Sequence, residues 1–295
     1  MSDAAPTLGR RPLILKLVVI LLVLAIGLYL AAVVVVGLVL PSGGRRPVER
    51  DRFVTVLGAR LAYRSTGSGE PTLILLHGFG GSMEEWEPLV PGLPGRVVRL
   101  DLVGYGASDR PPISFDLETE RRFLIAFMDA LEIPRATLFG RSMGASLAAW
   151  TAAHSPDRVE AVVLAAPSGY PGSLTYDWPY GTLYRPGIAN RAVGFVASTW
   201  VYRRLFPASL ASQAATVSGS YDTAFADALG KIRQPTLLFW SRGDGVVPFA
   251  FSAEYQARIP HAELVEFPAE AAHHAPTHDP EKAATHIREL IGRAG

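Results

Sequence analysis

A serine framed by two glycines, Gly140-Arg141-Ser142-Met143-Gly144, follows the apolar run Ala136-Thr137-Leu138-Phe139 and precedes a helical pattern that begins near Ala145. On so sharp a strand-to-helix turn the serine hydroxyl is exposed, and small residues two positions to either side let strand and helix approach. The turn also sets the hydroxyl at a helix start, where the positive dipole end and free N–H groups favour a developing negative charge. An alcohol of high pKa must lose its proton as it attacks, so a histidine is needed as base and a carboxylate to fix that histidine's tautomer. Asp244, in Ser241-Arg242-Gly243-Asp244-Gly245, and then His273 follow Ser142 in that order. These residues predict acyl transfer, with Ser142 as nucleophile, His273 as base and then acid, and Asp244 as its orienting partner.

Such a serine also needs donors for the oxyanion. His77-Gly78-Phe79-Gly80-Gly81 follows the apolar run Thr72 to Leu76, and the backbone N–H groups of Phe79 and Met143 are the expected oxyanion donors. His77 reads as a hydrogen-bonded structural residue, and Asp101 and Asp109 as carboxylates that close turns. Arg141 beside the nucleophile is a candidate for binding a substrate carboxylate, against the plainer reading of a solvated or cap-contacting side chain. His274 and His278 stand four apart, but Pro276 and Pro280 interrupt any helix that would bring them to one face, so no metal is expected. No motif implies an organic cofactor.

The elements that must position these groups are legible as short apolar runs alternating with longer amphipathic stretches, the pattern of a mostly parallel sheet with crossover helices. Strands are expected over Arg52–Val56, Arg60–Arg64, Thr72–Leu76, Arg96–Leu100, Ala136–Phe139, Val159–Ala165, Thr236–Trp240 and Glu263–Phe267. Helices are expected near Glu84–Leu93, Glu118–Leu131, Met143–His154, Phe249–Arg258 and Pro280–Ile291. The interval 168–230 breaks this rhythm and reads as an inserted, mainly helical cap. It holds six of the ten tyrosines with Trp178 and Trp200, which suits either an amphipathic ligand or bilayer surface or the cap's own small core.

Taken together, these segments resemble the α/β-hydrolase family over roughly residues 53 to 295. Asp101-Leu102-Val103-Gly104-Tyr105-Gly106-Ala107-Ser108-Asp109 after the fourth strand and Pro280-Glu281 beyond His273 also match, and those spacings select His273 over His274. The resemblance implies an α/β fold with an eight-stranded, mostly parallel sheet. A serine at the elbow separates the chain from relatives resembling haloalkane dehalogenases or epoxide hydrolases, whose nucleophile is an aspartate. Two departures stand out: Ala272 replaces the glycine usual before the histidine, and Arg141 is bulky beside the nucleophile.

Ahead of this lies a different kind of segment. Leu17 to Leu40 carries no charge and has no polar face, and a helix of that length crosses about 30 Å of hydrocarbon at about 1.5 Å per residue. The run is longer than the apolar part of a cleaved signal peptide, so an uncleaved anchor is expected. Arg10-Arg11 resembles a twin-arginine signal only faintly. The expected layout is a tail over 1–12, a transmembrane helix over 13–40, a linker over 41–52, hydrolase core over 53–167, the cap over 168–230 and core again over 231–295. Arg10, Arg11 and Lys16, which stand ahead of the uncharged run, resist translocation, which favours the folded part on the extracytoplasmic side.

Composition removes other classes. The chain has 28 basic and 27 acidic residues; three and one of these precede residue 41, leaving 25 and 26 in a nearly neutral folded part that lacks the basic excess of a nucleic-acid binder. With no cysteine, thiolate metal sites, disulfides and cysteine nucleophiles are excluded. The sequence therefore leads to a membrane-anchored serine hydrolase of small, lipophilic carboxylic esters. A C–C bond hydrolase of ring-cleavage products and a non-catalytic binding protein on the same fold are the alternatives.

Overall fold

The computed structural model describes residues 11–39, 45–173, 196, 199–205 and 222–294. Eight strands form one sheet in the order β1-β2-β4-β3-β5-β6-β7-β8: β1 Arg52–Val56, β2 Ala59–Thr66, β3 Thr72–Leu76, β4 Arg96–Leu100, β5 Ala136–Arg141, β6 Val159–Ala165, β7 Thr236–Ser241 and β8 Glu263–Phe267. The β1–β2 and β2–β4 pairs are antiparallel, and every later pair is parallel. The expected fold class, a mostly parallel eight-stranded sheet flanked by helices, holds.

The central strands are buried on both faces, and alternation along them divides the core in two. Ile74, Leu76, Leu138, Leu164, Leu238 and Trp240 point to one side, where α2 (Leu117–Ala130) and α3 (Met143–His154) pack. Leu73, Leu75, Phe139, Val163, Leu237 and Phe239 point to the other, against the closing helix Pro280–Ala294. That last helix buries Ala283, Ala284, Ile287 and Leu290, spaced three and four apart as one helical face requires. α2 begins where the Asp116 carboxylate accepts from the Thr119 N–H at 2.8 Å.

Four other helices complete the described set: α1 Arg11–Val39, α4 Trp200–Leu205, α5 Thr223–Leu229 and α6 Phe251–Arg258; the turn Ala275–His278 is α7 and Pro280–Ala294 is α8. Within α1, Leu15–Leu38 is long and apolar enough to cross a membrane by length and composition. Residues 1–10 of the expected tail, residue 40 of the expected transmembrane helix and 41–44 of the expected linker lie outside the described residues, as do most of the expected cap and its Trp178.

Two local expectations are corrected. The stretch Glu84–Leu93 is two 3-10 turns, Met83–Trp86 and Val90–Gly92, because Pro88 and Pro91 cannot donate and clash with a preceding helical turn. Conversely, Ala275–His278 forms one helical turn with Pro276 at its start, where a missing N–H costs nothing. The later part of the expected linker is also tied down. The Arg45 guanidinium pairs with Asp51 and with Asp101 at 2.9 Å, and the Arg45 N–H donates to Gly106 O at 3.1 Å.

Candidate active site

Parallel strands place the loops that follow them along one sheet edge, and that edge holds the candidate residues. The register pairs Leu76 with Gly140, Arg141 with Ala165, Ala165 with Phe239 and Ser241 with Phe267. The segments after β3, β5, β7 and β8 therefore leave the sheet at one level, and they carry Phe79, Ser142, Asp244 and His273 respectively.

Ser142 joins β5 to α3 with φ 53° and ψ −116°, a strained conformation for a residue with a side chain. The flanking glycines have a steric cause. A Cβ on Gly140 would fall 2.1 Å from Gly144 O, and one on Gly144 would fall 2.2 Å from Leu76 O. The Ser142 N–H donates to Ala165 O at 2.8 Å, so the turn is pinned to the neighbouring strand end. Met143 takes the first position of α3, where a backbone N–H has no acceptor within its own helix. Its side chain is buried, and the Tyr105 hydroxyl donates to Met143 Sδ at 3.4 Å.

Asp244 is nearly buried and its two carboxylate oxygens have separate tasks. Oδ1 accepts from the N–H groups of Val246 and Val247, both at 2.9 Å. Oδ2 is 2.7 Å from His273 Nδ1, which selects the tautomer with its proton on Nδ1 and leaves Nε2 as an acceptor. His273 and Ser142 both line a cavity of about 290 Å³, with Gly78, Phe79, Gly80, Gly81, Arg141, Val246 and His274.

The loop before His273 contains the departure noted in the sequence. Ala272 has φ 45° and ψ −131°, in the left-handed half of conformational space that a glycine enters freely and an L-residue enters only under strain.

His77 is fully buried: its Nδ1 donates to Gly78 O at 2.7 Å, and its Nε2 accepts from the Leu102 N–H at 3.1 Å. It thus ties the loop after β3 to the segment after β4. Asp101 accepts from the N–H groups of Met83 and Ala107 at 2.6 and 2.7 Å, and Asp109 from that of Arg60 at 2.8 Å.

Arg141 lies on the cavity wall, but its charge already has a partner. Nε and Nη2 fork onto the Glu85 carboxylate at 3.1 and 2.6 Å. Nη1 lies 3.4 Å from His273 O and 3.3 Å from His274 Nδ1. Burial, with the Arg141 guanidinium nearby, holds His274 below the usual histidine range. Glu85 was not singled out in the sequence, since its partner is 56 residues away.

The profile of the alpha/beta hydrolase fold matches residues 71–205 of this chain. The 2-hydroxy-6-oxononadienedioate/2-hydroxy-6-oxononatrienedioate hydrolase of Cupriavidus pinatubonensis is 30% identical over 252 residues, covering 72% of this chain and 86% of that protein. The dihydrolipoyllysine-residue acetyltransferase component of the acetoin cleaving system of Cupriavidus necator is 34% identical over 134 residues; the chain covers 35% of that protein's length. Among solved structures, a membrane phospholipase A described as a bacterial virulence factor shares the fold with a TM-score of 0.66 and 24% identity, over 96% of this chain and 99% of that one.

Proposed function

Since the chain belongs to the α/β-hydrolase fold family, we propose that it is a serine hydrolase of lipophilic carboxylic esters, anchored in a membrane through residues 13–40 with its folded part on the extracytoplasmic side. One observation carries the reading: Asp244 Oδ2 lies 2.7 Å from His273 Nδ1, and His273 shares a cavity with the strained Ser142. In the proposed reaction Ser142 Oγ attacks the ester carbonyl and passes its proton to His273 Nε2. The oxyanion takes hydrogen bonds from the Phe79 and Met143 N–H groups. Collapse expels the alcohol, which receives the His273 proton, and water activated by the same histidine releases the acid from Ser142. Asp244 stays ionised, orients the imidazole and stabilises its charged form.

A second reading, C–C bond hydrolysis, is favoured by the Cupriavidus pinatubonensis relative, whose name describes a dicarboxylate substrate. Charge supports the ester instead. Among the described residues lining the cavity, Arg141 is the one permanent cation, and Glu85 neutralises it. A substrate carboxylate that used Arg141 would have to displace Glu85.

The test is fluorophosphonate labelling of the solubilised full chain. Wild type is expected to label, and Ser142→Ala and His273→Ala are not. Hydrolysis of neutral acyl esters is then compared with that of a vinylogous diketone acid; turnover of the acid alone sinks the ester reading. A folded wild type that does not label supports a non-catalytic binding protein.

A further inference from the structure

The apolar helix α1 is not uniform around its circumference. Val34 and Val35 are 48% and 58% exposed, whereas Val33 and Val36 are 0% and 7% exposed. Tyr29, Ala32, Val33 and Val36 recur at the three-and-four spacing of one helical face, and Val196, Val201 and Tyr202 cover that face. A polar contact fixes the alignment. The Tyr29 hydroxyl donates to Thr199 Oγ1 at 2.7 Å. Thr199 Oγ1 in turn donates to Val196 O at 2.7 Å and accepts from the Tyr202 N–H at 3.4 Å, at the start of α4.

Helix length gives this contact a consequence. Crossing hydrocarbon takes about 30 Å, and the stretch from Leu15 to Leu28, ahead of the covered face, measures only roughly 20 Å at about 1.5 Å per residue. A spanning α1 must therefore carry Tyr29–Val36 into the bilayer, together with whatever is docked there. Measured down the axis from Leu38, Val36 lies about 3 Å, Val33 about 7.5 Å and Tyr29 about 13.5 Å along.

We propose that Val196 and residues 199–205 enter the membrane beside α1, and that the partner of these residues is the headgroup–acyl boundary of the bilayer. This rests on the anchor reading given above. The segment has a composition suited to that depth. It contains Trp200, Tyr202, Arg203 and Arg204, residue types that join an apolar body or stem to a polar end, and Leu205 is 57% exposed. The Tyr29–Thr199 pair satisfies two hydroxyls that would otherwise meet hydrocarbon alone. A lipid-dissolved ester can then reach the enzyme without crossing water.

The chain has no cysteine, so single probes can be placed without removing others. Leu205→Cys, Leu24→Cys and Glu289→Cys are each labelled with an environment-sensitive dye in the full chain, reconstituted in vesicles containing doxyl-labelled phosphatidylcholine. Most of the emission at positions 205 and 24 is expected to be quenched, and that at 289 is expected to be unchanged. Quenching at 24 with a water-like signal at 205 overturns the proposal and leaves the anchor intact; a water-like signal at both overturns proposal and anchor together. An acyl-chain diazirine lipid, photolysed with the unmodified protein, checks the result without substitutions. Adducts within 199–205 support insertion, and adducts confined to 11–39 refute it.

Discussion

The Arg141 guanidinium lies fork to fork on the Glu85 carboxylate, at 3.1 and 2.6 Å, while its third nitrogen reaches the segment of His273 and His274. The pair bridges the loop after β3, the end of β5 and the loop after β8, an arrangement suited to holding these segments in place. Arg141→Ala is expected to lower kcat about 10- to 100-fold by displacing the His273 loop, with little change in KM. The loss should be equal on neutral and anionic esters. A loss confined to anionic esters would show instead that Arg141 binds the substrate carboxylate.

Asp244 holds its histidine through a single bond, with its other oxygen committed to two backbone N–H groups. Asp244→Asn keeps the shape but can donate to His273 and select the wrong tautomer. Steady-state ester hydrolysis is expected to fall about 10⁴-fold in kcat. Near-normal turnover would show that another carboxylate orients His273.

Ala272 sits at φ 45° just before His273. Replacing it with glycine removes the Cβ strain, less the added freedom of the unfolded chain, for a net gain of about 1 kcal/mol. Thermal unfolding of Ala272→Gly should shift upward by roughly 2–4 °C. An unchanged or lower transition would mean that the loop is not strained at that residue.

Glu120 is buried in α2, and neither of its carboxylate oxygens has a hydrogen-bond partner. Burial, with the Asp116 charge second, raises its pKa well above the usual glutamate value. The folded state therefore keeps a proton that the unfolded state releases. The sign follows: full stability is present below the ordinary glutamate range and is lost as pH rises from there toward the raised value. Glu120→Met should raise the unfolding temperature, and by more at pH 8 than at pH 4. A gain independent of pH would show that Glu120 is charged in the fold.

The elbow Gly140–Gly144, the strand runs, and the Ser142, Asp244, His273 order are all legible in the sequence because each depends on a few neighbouring residues. A strand buried on both faces must be apolar throughout, and a strand-to-helix turn that tight must have glycine where a Cβ would meet backbone. The helix α1 is legible for the same reason, as an uncharged run with no polar face. Where local rules conflicted, over Glu84–Leu93, the spacing suggested a helix and the prolines decided against one.

The fold class, the apolar span and the candidate Ser142, Asp244 and His273 could be read from local backbone geometry and from the period of the apolar pattern. The Arg141–Glu85 fork, the left-handed Ala272 and the Tyr29–Thr199 contact were decided only in three dimensions. Arg141 and Glu85 are 56 residues apart, and Tyr29 and Thr199 are 170 apart. No short-range pattern marks such pairs, because each side chain finds its partner only after the sheet has brought their loops to one edge or two helices have packed face to face.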